Sequence, residues 1–345
     1  MTGFTHCGMG AAELGLGERA RMATEMGGKT RVRPQLAFKT DRGRLYVGDS
    51  LELLRSSAFE RLKGKVQLVF TSPPFPLARK KRYGNLVGDD YARWLAEFAQ
   101  PLRELLTPDG SVVIELGNGW VQGSPVMSTA SIKALLAFQE AAELHLCQEF
   151  ICFNPARLPT PAQWVTIERV RVKDSFTRVW WLSPTTNPKA DNRRVLTEYS
   201  DSMRKLLRKG TYTGGLRPSE HRIGEESFLK NNGGAIPPNV LVPPDADQLS
   251  AVLPISNTSS RDPYQQRCKE QNVQAHPARM PDALAGFFVQ FLTDPDDLVL
   301  DPFAGSNTTG FVAEKHERNW VGIELSAEYA ESAKVRFGIS PRKAA

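Results

Sequence analysis

The chain has 345 residues, 41% of them hydrophobic and 24% charged, with a formal net charge of +6 that suits a polyanionic partner. Met1 to Gly10 lack the basic start and apolar run of a secretory signal, and no stretch approaches the ~18 apolar residues of a membrane span. A cytoplasmic protein with no membrane partner is therefore expected. The four cysteines (Cys7, Cys147, Cys152 and Cys268) form no C-x-x-C pair and the five histidines do not gather near them, which argues against a disulfide framework or a metal site.

Residues 1–34 are rich in Gly and Met without steady periodicity and read as a flexible extension. Leu45-Tyr46-Val47 predicts a short strand ending at Gly48-Asp49, with Ser50 as N-cap of a helix through Leu54. Val66 to Phe70 is an apolar run of strand length that stops at Thr71-Ser72-Pro73-Pro74. Two prolines cannot continue a central strand, so the chain leaves the sheet there as a loop. Tyr91, Trp94, Leu95, Phe98 and Leu102 recur at helical spacing and predict one amphipathic helix over 90–106. Pro108-Asp109-Gly110 predicts a turn into a strand over Ser111 to Leu116. A helix near 130–146 and strands around Phe150 and over Val179 to Leu182 follow. This alternation predicts an α/β sheet covered on both faces.

The composition changes over 185–256, where Pro, Gly, Asn and basic residues dominate. Asn231-Asn232-Gly233-Gly234 and Pro237-Pro238 argue against long regular elements in this stretch. Regular pattern returns with Leu284, Phe287, Phe288 and Phe291 on a helix and strands over Leu298 to Leu300 and Trp320 to Ile323. A core is thus interrupted by a basic, loop-rich insert.

Asp301-Pro302-Phe303-Ala304-Gly305-Ser306-Asn307-Thr308-Thr309-Gly310 follows an apolar strand and opens a helix, a place where glycine lets a ligand approach the backbone. A phosphate loop would need Lys where Phe311 stands, and a dinucleotide fingerprint would need a second Gly where Asn307 stands. A turn without a ligand also stays open. The better reading is a nucleoside-type cofactor over the strand ends, because Glu324 ends the next strand 19 residues after Gly305. A carboxylate about 20 residues past such a turn grips ribose hydroxyls.

Thr71-Ser72-Pro73-Pro74-Phe75 is the most specific segment. Transfer to an aromatic amine requires the nitrogen lone pair to be freed from the ring, which acceptors of its N–H groups accomplish. The Ser72 hydroxyl and the Pro73 carbonyl are such acceptors, held by the proline pair, and Phe75 offers a face for an unstacked base. With the Asp301–Gly310 turn, this segment resembles the amino-methylating DNA methyltransferases, whose catalytic tetrapeptide reads Asp/Asn/Ser-Pro-Pro-aromatic. Its place before the cofactor turn matches the permuted order of the family's beta group. Gly48-Asp49 and His276-Pro277-Ala278-Arg279-Met280-Pro281 are similar to further segments of that family.

The resemblance covers residues from about 40 to the C-terminus. It implies a Rossmann-like methyltransferase fold with a mixed, mostly parallel sheet. The core would comprise residues 35–184 and 257–345, with a target-recognition region over 185–256. It implies S-adenosylmethionine as cofactor, set among Asp49, Thr71, His276, Phe303, Gly305, Ser306, Asn307 and Glu324, and catalysis by Ser72, Pro73, Pro74 and Phe75 without a metal. The partner it implies is double-stranded DNA with a short target site, held by Arg193, Arg194, Arg204, Lys205, Arg208, Lys209, Arg217 and Arg222. Ser at position 72 leans the reading toward cytosine N4, as in the methyltransferases of type II restriction–modification systems, with a restriction endonuclease acting on the same site without a stable complex. An adenine-N6 enzyme and a DNA-binding protein without catalysis are the alternatives. Transfer to cytosine C5, which uses a nucleophilic Cys typically placed after Pro, is not expected, because no cysteine follows a proline.

Overall fold

The structure, a computed structural model, describes residues 33–76, 86–154, 157–241 and 263–341. Except for Arg33 and Pro34, the expected N-terminal extension lies outside these residues. The described chain opens with a hairpin of β1 (Gln35–Lys39) and β2 (Gly43–Val47), then α1 (Ser50–Leu54), α2 (Ser57–Glu60) and β3 (Val66–Thr71). Next come α3 (Gly88–Ala96), α4 (Ala99–Leu105), β4 (Leu106–Gly117) and a small hairpin of β5 (Gly119–Trp120) and β6 (Met127–Ser128). The helix α5 (Ala130–Ala141) leads to β7 (His145–Phe153) and β8 (Phe176–Ser183). Then follow α6 (Asp201–Lys209), a hairpin of β9 (Gly215–Leu216) and β10 (Arg222–Ile223), and β11 (Val240–Leu241). The chain closes with α7 (Pro263–Glu270), α8 (Asp282–Leu292), β12 (Leu298–Asp301), α9 (Thr308–Lys315), β13 (Asn319–Glu324) and α10 (Ala327–Ala333).

One large sheet has the order β1-β2-β13-β12-β3-β4-β8-β7-β11. The five strands β2, β13, β12, β3 and β4 run parallel, and β8 pairs antiparallel with both β4 and β7. This is the mixed, mostly parallel sheet that the family resemblance implies. Strand β3 is buried at every residue, as a strand covered on both faces must be. One core packs Phe59, Tyr91, Phe98, Leu102 and Phe138 on one face; a second packs Phe70, Phe287, Phe288 and Trp320 on the other.

Strands β3 and β12 are neighbours. From β3 the chain runs through α3 and α4 to β4 on one side; from β12 it runs through α9 to β13 on the other. The connections diverge from this pair, so a crevice opens beyond its carboxyl ends, where open α/β sheets bind ligands. Thr71 and Asp301 stand at that point.

Several local expectations change. Asp49, not Ser50, caps α1: its extended backbone lets the carboxylate accept the Glu52 N–H at 3.0 Å, while the Ser50 hydroxyl donates to the Pro302 carbonyl. The single helix over 90–106 is two. Pro101 has no N–H to give the Glu97 carbonyl, so a continuous helix loses a bond there. In the first turn of α4 the missing donor costs nothing. Pro108-Asp109-Gly110 lie within β4 as a bulge, since Val66 pairs with Leu106 and Leu68 with Ser111. In the basic insert, α6 runs nine residues, capped by the Ser200 hydroxyl on the Met203 N–H (3.3 Å) and ended by left-handed Gly210. Val195 and Leu241, also inside that stretch, are buried in the second core.

Candidate active site

The cofactor turn is built from buried hydrogen bonds. The Asp301 carboxylate ends β12 and accepts from the Thr71 hydroxyl (2.7 Å), the Thr309 hydroxyl (2.7 Å) and the Phe303 N–H (3.0 Å). One carboxylate thereby fixes the end of β3, the start of α9 and the turn between. Burial pushes the Asp301 pKa up, and the Thr309, Thr71 and Phe303 hydrogen bonds oppose that rise. Gly305 sits at φ +52°, and a Cβ there would stand 3.2 Å from the His276 ring, so only glycine leaves this space open. His276 packs edge-on against Tyr329, with ring centroids 4.4 Å apart. Asn307, also left-handed, caps α9 through its side-chain oxygen on the Gly310 N–H (3.2 Å).

Glu324 ends β13 and is buried. Its two oxygens accept from the Gly305 N–H and the Ser326 N–H, each at 2.8 Å. Burial pushes its pKa up and these N–H groups counteract it. A carboxylate has roughly four lone-pair sites, so two N–H partners leave acceptors for a ligand's hydroxyls. Gly48 donates its N–H to the Glu324 carbonyl (3.0 Å), which brings exposed Asp49 to the same strand end. Phe303 is half-buried against Phe98 (5.0 Å) and Trp94 (5.6 Å). The buried Arg336 donates to the Ser306 carbonyl (2.9 Å) and hydroxyl (3.2 Å), steadying the turn from the C-terminal side. Asp49, His276, Phe303, Gly305 and Glu324 thus gather around the strand-end turn, while the buried side chains of Thr71, Ser306 and Asn307 bond within it.

The loop Ser72–Phe75 leaves β3 beside β4. Gly117 gives it room: a Cβ there would lie 2.4 Å from the Phe75 ring, and one at Gly119 would lie 2.8 Å from the Pro76 carbonyl oxygen. Pro73 is buried, and Ser72, Pro74 and Phe75 are half-buried. The Ser72 hydroxyl donates to the carboxylate of Glu115, a buried residue of β4 that also accepts from the Thr177 hydroxyl at 2.9 Å. Burial pushes the Glu115 pKa up; the Thr177 and Ser72 hydrogen bonds and the positive charge of Arg157 pull it back. A recess beside it is lined by Glu115, Cys152, Asn154, Arg157, Phe176, Thr177 and Pro281. Sequence reasoning missed Glu115. The signal was present, for a lone acid inside Val112-Val113-Ile114-Glu115-Leu116 is out of place in a buried strand unless it is paired.

The matching family model, described as DNA methylase, covers residues 66–335, which include the Ser72 loop and the cofactor turn. The chain belongs to the DNA methylase family. It is 44% identical over 303 residues to the type II methyltransferase M.PvuII of Proteus hauseri, covering 87% of this chain and 85% of that one. It is 24% identical to the type II methyltransferase M.BglII of Bacillus subtilis, covering 84% of this chain and 67% of the other. Its structure matches that of the PvuII DNA methyltransferase (cytosine-N4-specific) with a TM-score of 0.66, at 36% identity over 88% of this chain and 89% of that one.

In this methylase the basic residues named from sequence fall into two groups. Arg194 docks the insert to the core, while Arg193 pairs within the insert and stays exposed. Arg193 chelates Asp191 (2.8 Å), whose pKa it holds down to about 2. Arg194 donates to the Thr293 carbonyl (2.7 Å) and pairs with Asp294 (2.6 Å). Thr293 and Asp294 precede β12, at the end of the sheet opposite the Ser72 loop, so we assign Arg194 to docking in place of DNA contact, with Arg193 beside it. Lys205, Arg208 and Lys209 are exposed on α6, which has no buried residue. Arg204 on the same helix pairs with Asp201 (3.0 Å) and Glu198 (3.3 Å). Arg217 lies over Tyr212 beside the β9–β10 hairpin that carries exposed Arg222. No helix of the described residues is long and apolar enough to cross a membrane, and no group of three or more His, Cys, Asp or Glu residues among them is placed to hold a metal.

Proposed function

We propose that this methylase transfers a methyl group to the exocyclic N4 of cytosine at a short specific site in duplex DNA. The observation that carries the reading is the junction of Ser72-Pro73-Pro74-Phe75 with the cofactor turn through the Thr71–Asp301 hydrogen bond. It supports reading the two segments as the two halves of a methyl transfer at one crevice. The type II methyltransferases it resembles, one of them described as cytosine-N4-specific, support the base and atom.

The open space at Gly305 and the remaining acceptors of Glu324 fit S-adenosylmethionine. Glu324 would hold its ribose hydroxyls, Phe303 and Asp49 would flank its adenine, and His276 would border its methionine end. When bound it supplies an electrophilic methyl group. The chain's own residues prepare the acceptor. With its hydrogen directed to the Glu115 carboxylate, Ser72 keeps oxygen lone pairs free to accept an amine N–H. The Pro73 carbonyl accepts the other. Bonds to both hydrogens draw the amine lone pair out of conjugation and aim it for in-line attack. The proton shed by the methylated nitrogen has a route through Ser72 to Glu115, whose raised pKa suits it to take one. Phe75 stacks the base, which leaves the duplex to reach it.

The described residues of the region 185–256 are the part of the chain we assign to target recognition, with Arg204, Lys205, Arg208, Lys209, Arg217 and Arg222 as its DNA contacts. We further propose a cytoplasmic prokaryotic or viral protein that protects its site from a cognate endonuclease, without a stable complex. The test is incubation with methyl-labelled cofactor and duplex DNA, then digestion to nucleosides. Label in N4-methylcytosine is expected. Label in N6-methyladenine assigns the site to adenine, and unlabelled DNA overturns the reading.

A further inference from the structure

Between β7 and β8 the chain makes an excursion whose residues 157–174 belong to none of the strands and helices named so far. Its feet stand on the catalytic edge. Strand β7 runs parallel to β4, so Phe153 and Phe176 lie at the same end of the sheet as Gly117. Arg157 donates to the Phe176 carbonyl (2.8 Å) and Asp174 accepts from the Asn118 side chain (3.0 Å). Arg157 and Phe176 also line the recess beside Glu115.

The strap is held in place at two further points. Trp164 is buried and packs against Trp120 of β5, with ring centroids 5.7 Å apart. Arg171 donates to the Pro125 carbonyl (2.9 Å) in the β5–β6 hairpin. What the strap presents outward is unusual for a surface. Ile167 is 75% exposed and Val172 86%, with Val170 beside them. Basic residues alternate with these: Arg169-Val170-Arg171-Val172-Lys173, so the span 157–174 carries four basic residues against two acidic.

We infer that this strap is a second DNA-contacting element: Arg169 and Lys173 rest on phosphates, and Ile167 and Val172 enter the base stack beside the target base. Bare aliphatic tips flanked by cations are the chemistry of a wedge that unstacks a base step while gripping the backbone. A polyanion matches the charge, and the feet of the strap stand beside Glu115, the partner of Ser72 in the loop that an extruded base would meet. The inference rests on the proposed transfer to a base in duplex DNA.

The test uses the full chain at saturating cofactor and a duplex on which wild-type methylation has been mapped. Ile167→Ser/Val172→Ser should slow transfer to the matched duplex about tenfold or more. It should come within about threefold of wild type when the target base is mispaired, since a mispaired base leaves its stack more easily. Arg169→Gln/Lys173→Gln should lower the slope of log K against log salt by about 1.8, at about 0.9 per neutralised phosphate. All four side chains are exposed, and cofactor affinity equal to wild type confirms that the fold is kept. A wild-type rate on the matched duplex for the serine variant, or an unchanged slope for the glutamine variant, overturns the inference. So does loss of a dimer on the serine substitutions, which would give the patch to a second copy of the chain. A wild-type protein that leaves DNA unmethylated would instead overturn the reading of the function.

Discussion

The cofactor turn and the basic insert solve opposite problems with the same twenty residue types. In the turn, Asp301, Ser306, Asn307, Thr309 and Glu324 are all buried, and each has a named hydrogen-bond partner. Along α6 no residue is buried, and Lys205, Arg208 and Lys209 project from an open helix. The turn must hold acceptors and donors in fixed places before the ligand arrives, because reorganisation at the moment of reaction would forfeit the rate. The insert has to meet a polyanion, and cations that stay hydrated until they reach it do this without a desolvation penalty. Burial therefore marks chemistry in this molecule, and exposure marks recognition.

The comparison can be broken most severely at Ser72. Ser72→Ala should lower the methyl-transfer rate by about 10²-fold or more, the loss typical of a preorganised hydrogen-bonding group at the reacting centre, with cofactor affinity unchanged. Rapid-quench kinetics with labelled cofactor reads it. Next in size is Glu324→Ala, which should weaken S-adenosylmethionine by about 1.5–3 kcal/mol, the range for hydrogen bonds to a charged group. Calorimetric titration of mutant and wild type measures it, and equal dissociation constants would remove Glu324 from the site.

Substitutions in the insert should fall into two sets. Lys205→Ala/Arg208→Ala/Lys209→Ala should lower the slope of log K against log salt by about 0.9 for each phosphate deprived of its cation. Arg194→Ala should leave that slope at the wild-type value while lowering the unfolding midpoint, because Arg194 anchors the insert to Thr293 and Asp294. Fluorescence anisotropy across a salt series, paired with thermal denaturation, separates the two sets.

The smallest effect concerns pH. Burial raises the folded pKa of Glu115 above its unfolded value of 4.5, so the native state keeps a proton that the unfolded chain releases. Its contribution to stability is full below that unfolded value and is lost as pH rises through the folded pKa. Glu115→Gln should make this decline shallower, as read from denaturant midpoints measured from pH 4 upward.

The sequence carried the parts of the fold whose signals are local. The strand ending at Thr71, the turn after Asp301 and the carboxylate at Glu324 all announce themselves by prolines, glycines and spacing, and the structure brings them to one crevice. What it could not carry depends on partners far along the chain. Glu115 reads as an interloper in an apolar strand until Ser72 and Thr177 arrive on either side of it. Arg193-Arg194 looks like the other basic pairs, and only the fold brings Thr293, 99 residues on, to Arg194. The break between α3 and α4 was written in Pro101, but the helical spacing of Trp94, Phe98 and Leu102 masked it.

The division of labour itself is tested most directly by single-turnover methyl transfer with both cofactor and DNA saturating, for Ser72→Ala, Glu324→Ala and the triple α6 variant side by side. Saturation cancels defects in binding and leaves defects in chemistry. Only Ser72→Ala should stay slow, by about 10²-fold or more, while the other two return to within about threefold of wild type. A wild-type rate for Ser72→Ala, with a slow α6 variant beside it, would contradict the account.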